Sequence, residues 1–87
     1  MRPYEENKNG KIITRKFSSR TENSELVWHR DERDRYVTVV EGTNWQLQCE
    51  DSLPVPMVKG LGYWVESDEW HRLIRGNSNL VLKIEEF

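Results

Sequence analysis

The lack of alanine, together with the lack of any long amphipathic repeat, most constrains the fold of this 87-residue chain. Alanine is the strongest helix former, and no stretch of the sequence keeps the apolar period of about 3.6 residues for three helical turns. Valine, isoleucine and threonine together supply sixteen residues, and their branched side chains favour extended strands. The sequence therefore predicts an all-β protein.

Short segments rich in β-branched and aromatic residues alternate with turn residues at close spacing. The clearest segment covers residues 35–41 and ends at Gly42. In residues 80–86 the apolar side chains alternate, so that Leu80, Leu82 and Ile84 share one face. The predicted strands are residues 11–17, 26–31, 35–41, 45–50, 63–66, 71–75 and 80–86. This spacing predicts an antiparallel sandwich or a small barrel.

Length and composition limit the number of domains and the classes of partner that this chain can have. Residues 1–10 are polar and end in Asn-Gly, which predicts a flexible N-terminal arm ahead of a single domain over residues 11–87. The net charge of −2 gives no support to a nucleic-acid partner, and no apolar run is long enough for a membrane span. Cys49 is the only cysteine, which favours a structural thiol and a cytoplasmic location.

Two segments resemble the paired motifs of the cupin superfamily. The first family motif is Gly, five residues, His-x-His, three or four residues, Glu, six residues, Gly. The second is Gly, five residues, Pro-x-Gly, two residues, His, three residues, Asn. The first spacing is met here by Asn23, His29-x-Asp31, Arg35 and Gly42, and the second by Gly60, Glu66-x-Asp68, His71 and Arg75. The resemblance implies a single-domain cupin, a conical β-barrel or double-stranded β-helix of the jelly-roll type.

The resemblance also implies a metal site, although the motif is degenerate. Many cupins bind a divalent ion through both histidines and the glutamate of the first motif and the histidine of the second. The matching positions here are His29, Asp31, Arg35 and His71, and a guanidinium cannot ligate because it stays protonated. His29, Asp31 and His71 remain, a set that also has the composition of the facial triad of non-haem Fe(II) oxygenases. Iron, manganese, nickel and zinc all stay open.

The side chains around this site leave alternatives open. Arg35 could form an ion pair with Asp31 or Asp34, with both histidines as ordinary hydrogen-bonded residues, or it could bind an anionic ligand. Gln46 and Gln48 are candidate ligand-binding residues on the strand that follows the first motif, if their side chains point into the barrel.

The function that follows is a cupin-fold protein that binds a divalent metal and a small anionic metabolite in its barrel. If it is an enzyme, it is a metal-dependent isomerase, lyase or dioxygenase. The alternative is a non-catalytic ligand-binding or accessory cupin with a metal-free site. Trp28 and Trp70 precede the two histidines and would face away from the barrel interior. They would be covered either by a second subunit in a homodimer or by the N-terminal arm together with the strand over residues 11–17.

Overall fold

A computed structural model describes residues 3–87, which form two antiparallel β-sheets. In this part of the chain the strands are β1 Tyr4–Asn9, β2 Ile12–Phe17, β3 Arg35–Glu41, β4 Gln46–Cys49, β5 Val55–Pro56, β6 Gly62–Val65, β7 His71–Ile74 and β8 Leu80–Glu86. The first sheet has the order β1-β2-β8-β3-β6, and the second has the order β5-β4-β7. The described residues also include a 3₁₀ turn over Asn23–Glu25. The all-β class predicted from the composition is confirmed.

The core lies between the inner faces of the two sheets. On β8 the burial alternates as the sequence predicts, with Leu80, Leu82 and Ile84 inside. Trp45 is fully buried, and its indole N–H donates a 2.8 Å hydrogen bond to the carbonyl of Ser78, which removes the cost of burying that polar group. The buried apolar residues are Ile13, Phe17, Leu26, Val37, Val39, Trp45, Leu47, Met57, Val65, Leu80, Leu82 and Ile84.

The flexible arm predicted over residues 1–10 is wrong for Tyr4–Asn9, which form β1. The Asn-Gly signal belongs to a hairpin: Asn9 pairs with Ile12 across the two-residue turn of Gly10 and Lys11. The Tyr4 ring also packs 5.2 Å from the ring of Phe17, which joins this polar edge strand to the core. Residues 1 and 2 of the predicted arm lie outside the described residues.

The strand predicted over residues 26–31 is also wrong. Only His29 in this segment makes a β-bridge, and its partner is His71 at the start of β7. Leu26 instead ends the 3₁₀ turn and points into the core. The segment is therefore attached to the edge of the second sheet at one residue. No helix in residues 3–87 has the length and apolar character needed to cross a membrane.

Candidate metal centre

The three residues expected to bind metal lie together at the edge of the second sheet. One ligand atom from each of His29, Asp31 and His71 falls within 4.8 Å of the other two. The β-bridge causes this proximity, since the His29 N–H donates to the His71 carbonyl at 3.0 Å and the His71 N–H donates back at 2.8 Å. The two imidazole rings consequently lie 4.3 Å apart, and Asp31, two residues after His29, brings a carboxylate oxygen into the same cluster.

Both histidines are oriented by the same backbone contact. Nδ1 of His29 lies 3.1 Å from the carbonyl oxygen of Val27, and Nδ1 of His71 lies 2.8 Å from that of Glu69. A carbonyl oxygen only accepts hydrogen bonds, so each Nδ1 carries the proton and donates it. In the neutral ring, Nε2 is then the atom with the free lone pair, and metal-binding histidines are commonly held in this way. Both histidines are therefore prepared to ligate through Nε2.

The carboxylate of Asp31 has an unsatisfied oxygen at this point. Oδ2 is buried and forms no well-aligned hydrogen bond, although Nε2 of His71 is only 3.3 Å away. Buried polar atoms nearly always have a partner, because an unpaired one costs about 1–3 kcal/mol. When His71 is neutral, Nε2 and Oδ2 both present lone pairs to each other. A divalent cation bound by both atoms would remove this conflict, and the donor set fits one.

The charges around the three residues shift their proton affinities in different directions. Burial works against a charge on His71, but Asp31 and the Glu69 carbonyl outweigh it and raise the His71 pKa above 6.5. Burial lowers the pKa of His29 below 6.5, against the bond to the Val27 carbonyl. Burial also acts to raise the Asp31 pKa, but His71 and Arg35 lower it overall. A proton on His71 is thus the competitor of a metal ion at this site.

The loop between β6 and β7 fixes the backbone of the site. The Asp68 N–H donates to the carbonyl of Asp31 at 2.7 Å, and the Ser67 N–H donates to Oδ1 of Asp34 at 2.8 Å. Asp68 stands where the second cupin motif has its second glycine, and its φ is +61°. Aspartate tolerates this left-handed conformation better than most residues, so the turn keeps its shape without the glycine.

Arg35 faces the cavity at the position of the missing glutamate, but its charge is already paired. Its Nε and Nη2 donate to Oε2 of Glu86 at 3.1 and 2.9 Å, while Nη1 lies 3.4 Å from Oδ1 of Asp31. Asp34, the other acid considered as a partner for Arg35, instead accepts the Ser67 N–H. Sequence reasoning missed Glu86, although it continues the inward alternation of Leu82 and Ile84 by two residues.

Gln46 and Gln48 do not face the cavity, which corrects the prediction that they bind a ligand. Leu47 between them is buried and lines the cavity, so the alternation of the strand turns both glutamines outward. Gln48 is instead tied down on that face, donating to the Ser52 carbonyl and accepting from Nε of Arg72. On the next residue, burial and then Glu69 raise the pKa of the Cys49 thiol to about 11, which agrees with a structural thiol.

The three residues open onto a cavity of about 410 Å³ between the sheets. Besides these three residues, the lining includes the charged residues Arg35, Arg15 and Glu25, whereas most of the remaining wall is apolar. Sequence reasoning missed Arg15, which also lines the cavity and alternates inward with Ile13 and Phe17 on β2. The Arg15 guanidinium lies 4.3 Å above the Tyr4 ring and 2.7 Å from the carboxylate of Glu6, so its charge is paired as well.

Trp28 and Trp70 flank the histidine bridge and are 39% and 41% exposed. The guanidinium of Arg72 lies 4.8 Å from the Trp28 ring, and that of Arg30 lies 5.2 Å from the Trp70 ring. Because His29 is opposite His71, these contacts join residues that are directly opposite each other across the bridge. Two cation–π pairs therefore hold the bridge in place, and neither tryptophan is buried within the chain.

Comparison with solved structures identifies the fold. A cupin-2 domain protein from Shewanella frigidimarina is 19% identical with a TM-score of 0.69, covering 97% of this chain and 79% of the other. Protein NMB1881 from Neisseria meningitidis is 18% identical with a TM-score of 0.65, covering 97% and 81%. Hydroxypropylphosphonic acid epoxidase (HppE) from S. wedmorenis is 14% identical with a TM-score of 0.71, covering 97% and 49%.

The epoxidase has also been solved in its Fe(II) form, and this chain spans about half of its length. No protein-family model matches the sequence, and no curated protein matches it in a sequence search. The resemblance to cupins seen in the motif spacing is nevertheless confirmed at the level of structure. The chain is therefore a small domain with the cupin fold.

Proposed function

We propose that the protein is a metal-dependent enzyme that acts on small molecules, and that His29, Asp31 and His71 bind one divalent ion. One observation carries the proposal: Nε2 of His71, which has a free lone pair in the neutral ring, lies 3.3 Å from a buried Asp31 oxygen that has no hydrogen bond, and a ring nitrogen of His29 completes the cluster within 4.8 Å. Three protein ligands leave open coordination positions, at which such an ion can bind and polarise a small molecule.

Iron is the first metal to consider. Two histidines and one carboxylate are the ligand set of non-haem Fe(II) oxygenases, and HppE, a structural neighbour, has been crystallised with Fe(II). Zinc, manganese and nickel accept the same donor types, so the metal must be identified by measurement. The chain's own contribution is to hold the two rings by their Nδ1–H groups and to place the three ligand side chains in the lining of the cavity.

The alternative function is a non-catalytic ligand-binding or accessory cupin with a metal-free site. In that case Oδ2 of Asp31 would stay buried without a hydrogen bond unless His71 carried a proton. We do not favour this alternative, because it does not explain why both histidines donate their Nδ1–H to a backbone carbonyl and keep Nε2 free.

The test is the metal content of untagged protein, followed by titration of the metal-free protein with Fe(II), Mn(II), Ni(II) and Zn(II). We expect one ion per chain, no retained metal in His71→Ala or His29→Ala, and weakened binding in Asp31→Asn. Cys49→Ser is the control, because it removes the thiol, which is another common metal ligand but lies outside the cluster. This variant should bind metal as the unchanged protein does. Protein that takes up none of these ions would overturn the proposal.

A further inference from the structure

The cavity beside the candidate metal centre is divided by polarity. Its polar end is the cluster of His29, Asp31, His71 and Arg35, and most of the remaining wall is apolar, with side chains from both sheets. That wall includes Val37, Leu47, Val65, Leu73, Leu82 and Ile84. A volume of about 410 Å³ is within the range of about 300–1,000 Å³ found for small-molecule pockets. A ligand that fills it must present a polar end to the cluster and an apolar body to the wall.

The net charge at the polar end of the cavity decides which polar group of a ligand would bind there. A divalent ion brings two positive charges and Asp31 one negative charge, while both histidines are neutral when they ligate. Arg35 and Glu86 cancel each other through two hydrogen bonds to one carboxylate oxygen. The loaded site would therefore keep one net positive charge in a partly buried setting, where an unpaired charge is costly.

The other charged groups near the cavity do not alter this balance. Arg15 is paired with Glu6 at 2.7 Å. Glu25 reaches the lining as well, but it is exposed and its carboxylate accepts the N–H of Glu22, so solvent screens its charge. One negative charge on the ligand would neutralise the site.

We propose that the ligand is an amphipathic monocarboxylate, whose carboxylate binds the metal and whose apolar body fills the barrel. This inference rests on the metal centre proposed above. Arg35 does not supply the main anion contact, because two of its nitrogens are already used by Glu86 and a third faces Asp31. The aliphatic wall then sets specificity by length: a longer chain covers more of the wall, and a second charge at the far end would be buried against it.

Cobalt(II)-loaded protein gives a direct readout, because the visible absorption of Co(II) changes when a new ligand enters its coordination sphere. The probes are butyrate, hexanoate, octanoate, 1-octanol and succinate. We expect the three monocarboxylates to change the spectrum, with affinity rising by about fourfold per added methylene, which corresponds to about 0.8 kcal/mol each. The alcohol lacks the charge, and the dicarboxylate carries a second one, so both should bind far more weakly.

Two neighbouring residues of β7 provide matched variants. Leu73 lines the cavity, whereas Ile74 does not, since successive residues of a strand face opposite sides. Leu73→Trp should abolish the advantage of octanoate over butyrate, and Ile74→Trp should keep it. Both proteins should retain the Co(II) spectrum. If Leu73→Trp does not fold, the chain-length series on the unchanged protein decides the question.

The possible failures are distinguishable. Protein that binds Co(II) but shows no spectral change with any carboxylate, or equal affinity for butyrate and octanoate, overturns the monocarboxylate inference and leaves the metal centre standing. Tighter binding of succinate than of hexanoate also overturns the inference, because it would place a second cationic contact in the cavity. Protein that binds no Co(II) or any other divalent ion overturns the proposed function and this inference with it.

Discussion

At the scale of single residues, the site is a competition between a proton and a metal ion for the space between His71 and Asp31. The structure holds Nε2 of His71 3.3 Å from Oδ2 of Asp31, which is too close for two lone pairs and suits a shared cation. His29 differs from His71 in the direction of its pKa shift: burial prevails at His29, whereas at His71 burial is outweighed by Asp31 and the Glu69 carbonyl together. The two rings can therefore be told apart by titration.

In the metal-free protein, we expect His71 to titrate above 6.5 and His29 below 6.5, as followed by the ring-proton NMR signals of the chain's only two histidines. Asp31→Asn removes the negative charge that holds the proton on His71, so the His71 pKa should fall. Glu32→Gln is the control, since that exposed acid is not among the causes of either shift. An unchanged His71 pKa in Asp31→Asn would mean that the two groups do not interact.

The same shift makes stability depend on pH. Because the folded pKa of His71 lies above its unfolded value of 6.5, its pairing with Asp31 stabilises the metal-free fold below that pH. This contribution is lost as the pH rises through the raised pKa. Asp31→Asn should therefore lower the free energy of unfolding more at about pH 5.5 than at about pH 8, measured by urea denaturation without metal. An equal loss at both pH values would contradict the assignment.

At the scale of elements, β8 supplies the residue that neutralises Arg35. Glu86 is the register partner of Arg35 across β3 and β8. Its carboxylate accepts hydrogen bonds from the guanidinium, so that Arg35 is not paired with Asp31 alone. Loss of that carboxylate would leave a positive charge within reach of the metal site. Electrostatic repulsion then acts on any cation bound by Asp31.

Glu86→Gln should accordingly weaken metal affinity, measured by competition with a coloured chelator. Glu85→Gln is a matched control, because the neighbouring Glu85 lies 3.9 Å from the Lys83 ammonium rather than against Arg35. We expect Glu85→Gln to bind metal as the unchanged protein does. Equal affinities in all three proteins would show that the charge of Arg35 is not felt at the site.

The elements also show what the sequence could and could not predict. The bounds of β3 and β8 follow from their β-branched residues and alternation, and the three candidate ligands follow from motif spacing. The segment over residues 26–31 looks like a strand by composition, yet only His29 finds a pairing partner. Strand pairing depends on residues far away in the sequence, which composition does not reveal. The side-chain direction of Gln46 and Gln48 has the same dependence, because they face outward once Leu47 occupies the buried position.

The segment that carries His29 needs another source of rigidity, and the cation–π pair of Trp28 with Arg72 is one. At exposed sites such contacts contribute about 0.5–1 kcal/mol. Trp28→Ala and Arg72→Ala, combined in a double-mutant cycle by urea unfolding, should give a coupling free energy of about that size. Arg72 also donates to Gln48, and the cycle removes that separate contribution. Strict additivity would contradict the contact.

At the scale of the whole molecule, several exposed aromatic side chains lie together on one face. Tyr36, Trp64 and Phe87 form a row on the first sheet, with ring centroids 6.4 and 5.4 Å apart and Trp64 50% exposed. Trp64 is on β6, the edge strand of that sheet, and Tyr36 is on the neighbouring strand β3. The opposite edge, β1, is polar and charged, a composition that discourages strand pairing between chains.

We expect a homodimer formed through the row of Tyr36, Trp64 and Phe87, because aromatic residues are enriched at interfaces and a second β6 can pair antiparallel across a two-fold axis. Sedimentation at micromolar concentration should give twice the 10.4 kDa chain mass. Trp64→Gln should shift the equilibrium to monomer, whereas Trp70→Gln, which changes a similarly exposed tryptophan beside the histidine bridge, should not. The reverse result would move the interface to the second sheet, and a 10.4 kDa species for the unchanged protein would exclude the dimer.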